Sequence, residues 1–214
     1  MKKKYQVFIS STYEDLREER TAVISCLLES NCIPVAMEHF PASNMSPMQY
    51  IEEMLDDCDY YILILAGKYG SLDSDEIGYT EKEYDYAVSK GIPVMSFIVK
   101  DIKELPYKYC EHDGKGKEKL EAFRKKVSSG RMVRKYSDIG GLKSAVIASI
   151  HRCIEDYPAL GWIRGTAQTT IGNVEENAIL KVVDERIEEV MKQHIASDDD
   201  IDRAVDEAFK EVFG

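Results

Sequence analysis

The chain has 214 residues, 44% hydrophobic and 31% charged, a balance that fits one folded domain of about 150 residues with an appendage. A net charge of −11 argues against DNA or RNA as a main partner, with local basic patches over 115–126 and 131–135. No apolar run approaches the roughly 20 residues of a membrane span.

The first element is a strand starting at Tyr5, with Val7, Phe8 and Ile9 as its apolar run. Ser10, Ser11 and Thr12 follow at once. Ser11 fits a helix cap with Glu14 as its capping-box partner, so a helix is expected over 14–29 with Leu16, Val23, Ile24, Leu27 and Leu28 buried. A second short strand is expected over 33–37. Ser46 and Pro47 open the next helix as cap and first helical residue, with Tyr50, Ile51, Met54 and Leu55 on its apolar face. The run 60–65 is the clearest strand, apolar throughout. A helix over 80–90 ends at Gly91, and a strand follows over 93–99. A helix over 117–127, a weak strand over 132–135 and a long helix over 138–157 complete the alternation. Strands starting at Tyr5, Ile33, Tyr60, Pro93 and Met132 imply an α/β fold. We expect one parallel sheet in order 2-1-3-4-5 with helices on both faces, in the flavodoxin-like manner.

A composition shift then reads as a linker over 158–173, rich in Gly, Thr and small residues. Two helices are expected over 174–214. Ile179, Val183, Ile187 and Val190 stripe the first, and Ile201, Val205, Phe209 and Val212 stripe the second. Such a hairpin cannot bury both stripes by itself, so it is expected to dock or to self-associate.

Five cysteines, at 26, 32, 58, 110 and 153, lack CxxC spacing and suit a reducing compartment. The four histidines form no metal-ligand pattern. The amino-terminal lysines precede only a short strand, not a signal-peptide core. The expectation is a cytoplasmic protein with no metal and no membrane partner.

The candidate chemistry lies at the carboxyl edge of the sheet, where open α/β folds place ligands. Ser10, Ser11 and Thr12 sit at the end of the first strand. Gly67 and Gly70, around Tyr69, follow the third strand and allow close backbone approach. Glu81 and Glu83 belong to the start of the next helix. A carboxylate there, beside a nucleotide sugar, can stabilise an oxocarbenium ion or attack the anomeric carbon. The same residues have a structural reading. Thr80-x-x-Glu83 is itself a capping box, Ser10, Ser11 and Thr12 suit a capped turn, and the tyrosines suit packing.

Several stretches resemble a bacterial domain of unknown function related to TIR domains, found beside signalling NTPases and in defence systems. They are Val7-Phe8-Ile9-Ser10-Ser11-Thr12-Tyr13-x-Asp15-Leu16-x-x-Glu19-Arg20, Met37-Glu38-x-Phe40, Cys58-Asp59-Tyr60-Tyr61-Ile62-Leu63 and Gly67-x-Tyr69-Gly70-Ser71. The resemblance covers residues 4–157. Tyr79-x-x-x-Glu83-x-x-x-Ala87 is similar to the TIR segment around the catalytic glutamate, although the usual TIR tryptophan is Tyr79 here and no cysteine precedes Glu83. Gly91-Ile92-Pro93-Val94 after it resembles nucleoside deoxyribosyltransferases.

The resemblance implies cleavage of the N-glycosidic bond of NAD or a related nucleotide, with NAD as substrate and no cofactor. Glu83 would be the catalytic carboxylate, with Glu81 the alternative. Ser10, Ser11 and Thr12 would line the ribose or phosphate, and Phe40, Gly67, Tyr69 and Gly70 would shape the pocket. Two other functions stay open: a non-enzymatic TIR-like interaction module, and a deoxyribosyltransferase-like enzyme. Expected partners are the nucleotide, a second copy through the carboxyl-terminal helices, and a protein in a signalling or antiviral defence pathway.

Overall fold

A computed structural model of the chain describes residues 3–36 and 44–164. Five strands form one sheet: β1 (Gln6–Ser10), β2 (Ile33–Val35), β3 (Tyr60–Leu65), β4 (Val94–Val99) and β5 (Val133–Tyr136). Their spatial order is β2-β1-β3-β4-β5, and all four pairings are parallel. Phe8 stands opposite Tyr61, and Ile62 opposite Met95. The flavodoxin-like order expected from the alternation is therefore the one observed.

Because successive strand residues point to opposite faces, each central strand feeds two cores. Val7, Ile9, Tyr60, Ile62 and Phe97 pack under α1 (Arg17–Glu29) and α5 (Ile139–Asp156), where Val23, Leu27, Val146 and Ile150 meet them. Phe8, Tyr61, Leu63 and Ile98 pack under α2 (Pro47–Asp56), α3 (Tyr79–Ser89) and α4 (Gly114–Ser128), against Ile51, Leu55, Tyr84 and Phe123. All of these are buried, and each such side chain stabilises the fold by roughly 1.5–3 kcal/mol. The rings of Phe8 and Tyr61 stack with centroids 5.9 Å apart, which fixes β1 against β3 directly below the site.

Several local expectations change. α1 begins at Arg17 rather than near Glu14, with Leu16 as its cap residue and no side-chain cap bond. Ser11 does not cap it, because its hydroxyl accepts from the Arg20 guanidinium at 2.8 Å. Residues 11–16 are thereby left as a loop at the sheet edge. Leu28 is 60% exposed, since α1 turns Val23, Cys26 and Leu27 inward instead. By contrast, the Ser46 cap with Pro47 forms as read, and Gln49 completes its box. Between β4 and α4 the chain makes two short 3-10 turns, Ile102–Glu104 and Tyr107–Tyr109, which the pattern did not announce.

After α5 the chain returns to the start of β1. Lys4 and Trp162 exchange backbone hydrogen bonds of 2.8 and 2.6 Å, and the Gly161 amide donates to Asp59 at 3.1 Å. Gly161 has a φ of 63°, and a Cβ there would meet the Lys4 carbonyl at 3.0 Å. The first residues of the expected linker thus belong to the described fold. The remainder of that linker, the helices expected over 174–214, and Phe40 lie outside the described residues.

Candidate functional site

The carboxyl ends of β1 and β3 and the start of α3 border a cleft of about 570 Å³. Its walls come from three loops: 11–15 after β1, 68–71 after β3, and 110–113 before α4. α3 contributes Tyr79, Thr80 and Glu83.

Thr80, Glu83, Tyr84 and Ala87 are the buried stripe of α3, at the i, i+3, i+4, i+7 spacing of an inward face. Glu83 therefore occupies a core position, 2% exposed. A charge there demands a partner. Ser10, also buried at the end of β1, supplies it by donating from Oγ to Glu83 Oε2. Burial raises the Glu83 carboxyl from 4.5 to about 7, while the Ser10 hydroxyl and the charge of Arg20 pull it down. Glu83 does not cap its helix. The cap residue of α3 is Gly78, with no side-chain bond, so the capping-box reading of Thr80 and Glu83 does not hold. The helix begins one residue early, and this turns both side chains toward the sheet.

The other expected residues divide. Ser11, Thr12 and Gly70 line the cleft. Gly70 has a φ of 92°, and a Cβ there would lie 2.8 Å from the Thr12 methyl, so glycine lets the β1 and β3 loops meet. Ser10 lies beneath Glu83 rather than on the cleft surface. Gly67 serves the chain itself: a Cβ would come within 2.3 Å of the Tyr109 carbonyl, and its own carbonyl accepts from the Glu111 amide at 2.7 Å. Tyr69 is buried off the main cleft, its hydroxyl donating to Glu81 at 2.6 Å. Glu81 also accepts from Lys126 at 2.9 Å and does not line the cleft. Phe40 is outside the described residues.

The sequence reading gave no role to Asp15, Lys68, Glu111 or His112, all of which line the cleft. Asp15 is 7% exposed, and neither carboxylate oxygen has a hydrogen-bond partner. Burial raises its pKa above the ordinary carboxylate value; the nearby Thr12 hydroxyl and Lys68 ammonium oppose this without satisfying either oxygen. Lys68 approaches Glu14 at 3.6 Å. Glu111 has a structural task, accepting from the Tyr69 amide at 3.1 Å. Asp15 and Arg20 both stood in the amino-terminal motif, but reading 14–29 as helix put Asp15 in a first turn and hid it.

A buried carboxyl near neutrality, accepting from the Ser10 hydroxyl and bordering an open cleft, can exist in both protonation states at physiological pH. That suits proton transfer or stabilisation of positive charge on a reacting carbon.

The model of a domain of unknown function, DUF4062, matches residues 6–151. This chain belongs to that family. The matched span of the DUF4062 domain contains all five strands and every described residue of the cleft. No curated protein matches the chain. Among solved structures, it is similar to the TIR domains of the activated Roq1 resistosome, at 11% identity and a TM-score of 0.39, over 69% of this chain and 84% of that one. A mutant flavo di-iron protein from Thermotoga maritima is similar at 18% identity and 0.39, over 71% of this chain and 36% of that one. A short-chain flavodoxin associated with a bacterial microcompartment is similar at 11% identity and 0.35, over 71% and 99%.

Proposed function

We propose that this DUF4062 domain cleaves the N-glycosidic bond of NAD or a related nucleotide, with Glu83 as the catalytic carboxylate. The supporting observation is the Glu83 carboxyl itself: buried, raised to about 7, held at Oε2 by Ser10 and bordering a cleft with room for a sugar ring.

In such a reaction the base leaves from C1′ of the ribose, and positive charge develops on the ring as the bond lengthens. An ionised carboxylate in a poorly solvated site stabilises that charge more strongly than it would in water. Ser10 holds the carboxylate at Oε2, and the carboxylate borders the cleft, where it would either stabilise the cation or form a transient glycosyl ester that water opens. Because the free carboxyl titrates near 7, activity gained from its ionised form rises through neutrality.

The test is incubation of the pure full chain with NAD, ribonucleotides and deoxynucleosides, with products separated by chromatography. Free base together with an ADP-ribose or cyclised product supports the reading. Base exchange confined to deoxynucleosides would favour a deoxyribosyltransferase, and no turnover of any of them would favour an interaction module. A role in antiviral defence or signalling belongs to the same proposal and rests on the resemblance of the motifs.

A further inference from the structure

Asp15 is a buried ionisable group to which the proposed cleavage assigns no task. It lines the same cleft as Glu83, and both of its oxygens are closed to bulk water and lack a donor. Orphaned buried polar atoms are uncommon because their lost hydration is not repaid by a bond, and each one calls for an explanation. Lys68, whose charge acts on Asp15, makes its ion contact with Glu14. Among the described residues, no group of three or more His, Cys, Asp or Glu is arranged to hold a metal ion.

An ionised carboxylate only accepts hydrogen bonds, so the missing partners are donors. Two oxygens on one carbon suit two hydroxyls on adjacent carbons, which is the chemistry of a ribose 2′,3′-diol. A 2′-deoxyribose offers one donor fewer. Glu83 would act at C1′, next to C2′, so a ring seated for cleavage presents its diol to another wall of the same cleft. Thr12, Asp15 and Gly70 form one such wall.

We propose that Asp15 selects ribosyl over 2′-deoxyribosyl substrates by accepting hydrogen bonds from the 2′- and 3′-hydroxyls, its side chain turning into the cleft it lines as the sugar displaces water. This rests on the reading of Glu83 as the carboxylate at C1′. A donor entering the site gives the buried oxygens the partners they lack, and a substrate without the 2′-hydroxyl leaves one of them orphaned. Charge-assisted hydrogen bonds of this kind separate two ligands by about tenfold or more.

The experiment uses the full chain carrying Glu83→Gln, so that ligand is not consumed. Calorimetric titration compares NAD with its analogue lacking the 2′-hydroxyl on the nicotinamide ribose. The expected result is a preference for NAD of about tenfold or more, falling to threefold or less when Asp15→Asn is added. Lys68→Gln in the same background keeps the preference, which separates sugar recognition from general weakening of the cleft. Thermal melts confirm that each chain is folded. Asp15→Asn removes a buried acid at constant shape, and Asp15→Ser serves as a second variant with the same expectation.

An unchanged preference in both Asp15 variants overturns the proposal, even if the wild-type chain cleaves NAD. An Asp15-dependent preference without cleavage by the wild type supports the ribose site and overturns the hydrolase reading. Absence of binding by either ligand overturns both.

Discussion

Replacing Glu83 by Gln should change how stability depends on pH, and the size of the change follows from the burial of this one group. In the folded chain the carboxyl holds its proton to about pH 7; its ordinary value is 4.5. Between those values the folded state binds more protons than the unfolded state, so stability falls as pH rises. The contribution is fully present below about 4.5 and has been lost once pH exceeds about 7. A displacement of this size corresponds to about 3 kcal/mol. Gln retains the shape and can accept from Ser10 Oγ, but it does not ionise. Urea unfolding of both full chains at pH 5 and pH 8.5 isolates the effect. The cost of burying the amide is the same at both pH values and cancels. The variant should gain about 2.5 kcal/mol on the wild type across that interval, because a little of the contribution is already lost at pH 5; this corresponds to roughly 5–10 °C in melting temperature. An equal stability difference at both pH values would show that Glu83 titrates as an ordinary surface acid, and the site as described would be wrong.

Further expectations concern its neighbours. Cleavage by the wild-type chain should rise with pH through about 7, and Ser10→Ala should move that rise to higher pH, because the hydroxyl is the largest influence favouring the ionised form; a pH–rate profile checks both. Gly67→Ala should destabilise the chain by about 1–3 kcal/mol in thermal or urea unfolding, since its Cβ would strike the Tyr109 carbonyl. Gly70→Ala combines strain at a φ of 92° with a clash at Thr12, so it should reduce cleavage more than Glu81→Gln does in the same assay. The two stripes expected over 174–214 should drive self-association. Light scattering should then give a larger particle for the full chain than for one ending at Arg164, and two monomers at tens of micromolar would refute it.

The fold was legible because its signals are long and redundant. Tyr60 to Leu65 is apolar at every position, as a central strand fed from both faces must be, and this strand sits in the middle of the sheet. The alternation with helices then leaves few topologies. The site was less legible for a local reason. Ser11 with Glu14, and Thr80 with Glu83, have the spacing of capping boxes, yet neither box forms. Long-range partners win in both cases: Arg20 engages Ser11, and Ser10 engages Glu83 from 73 positions away. Such pairings have no local period. The stripe of α3 was obscured in the same way, because two of its four buried positions are the polar residues Thr80 and Glu83. Asp15 was hidden by a helix start placed three residues too early, and Glu111 and His112 by two short turns that carry no hydrophobic pattern.

The most direct test of the central claim is the rate of base release from NAD by the full chain, measured side by side for wild type, Glu83→Gln and Glu81→Gln at pH 8. The account predicts cleavage by the wild type and by Glu81→Gln, and at least a hundredfold loss in Glu83→Gln with the protein still folded. Undiminished cleavage by Glu83→Gln, or loss confined to Glu81→Gln, would contradict it.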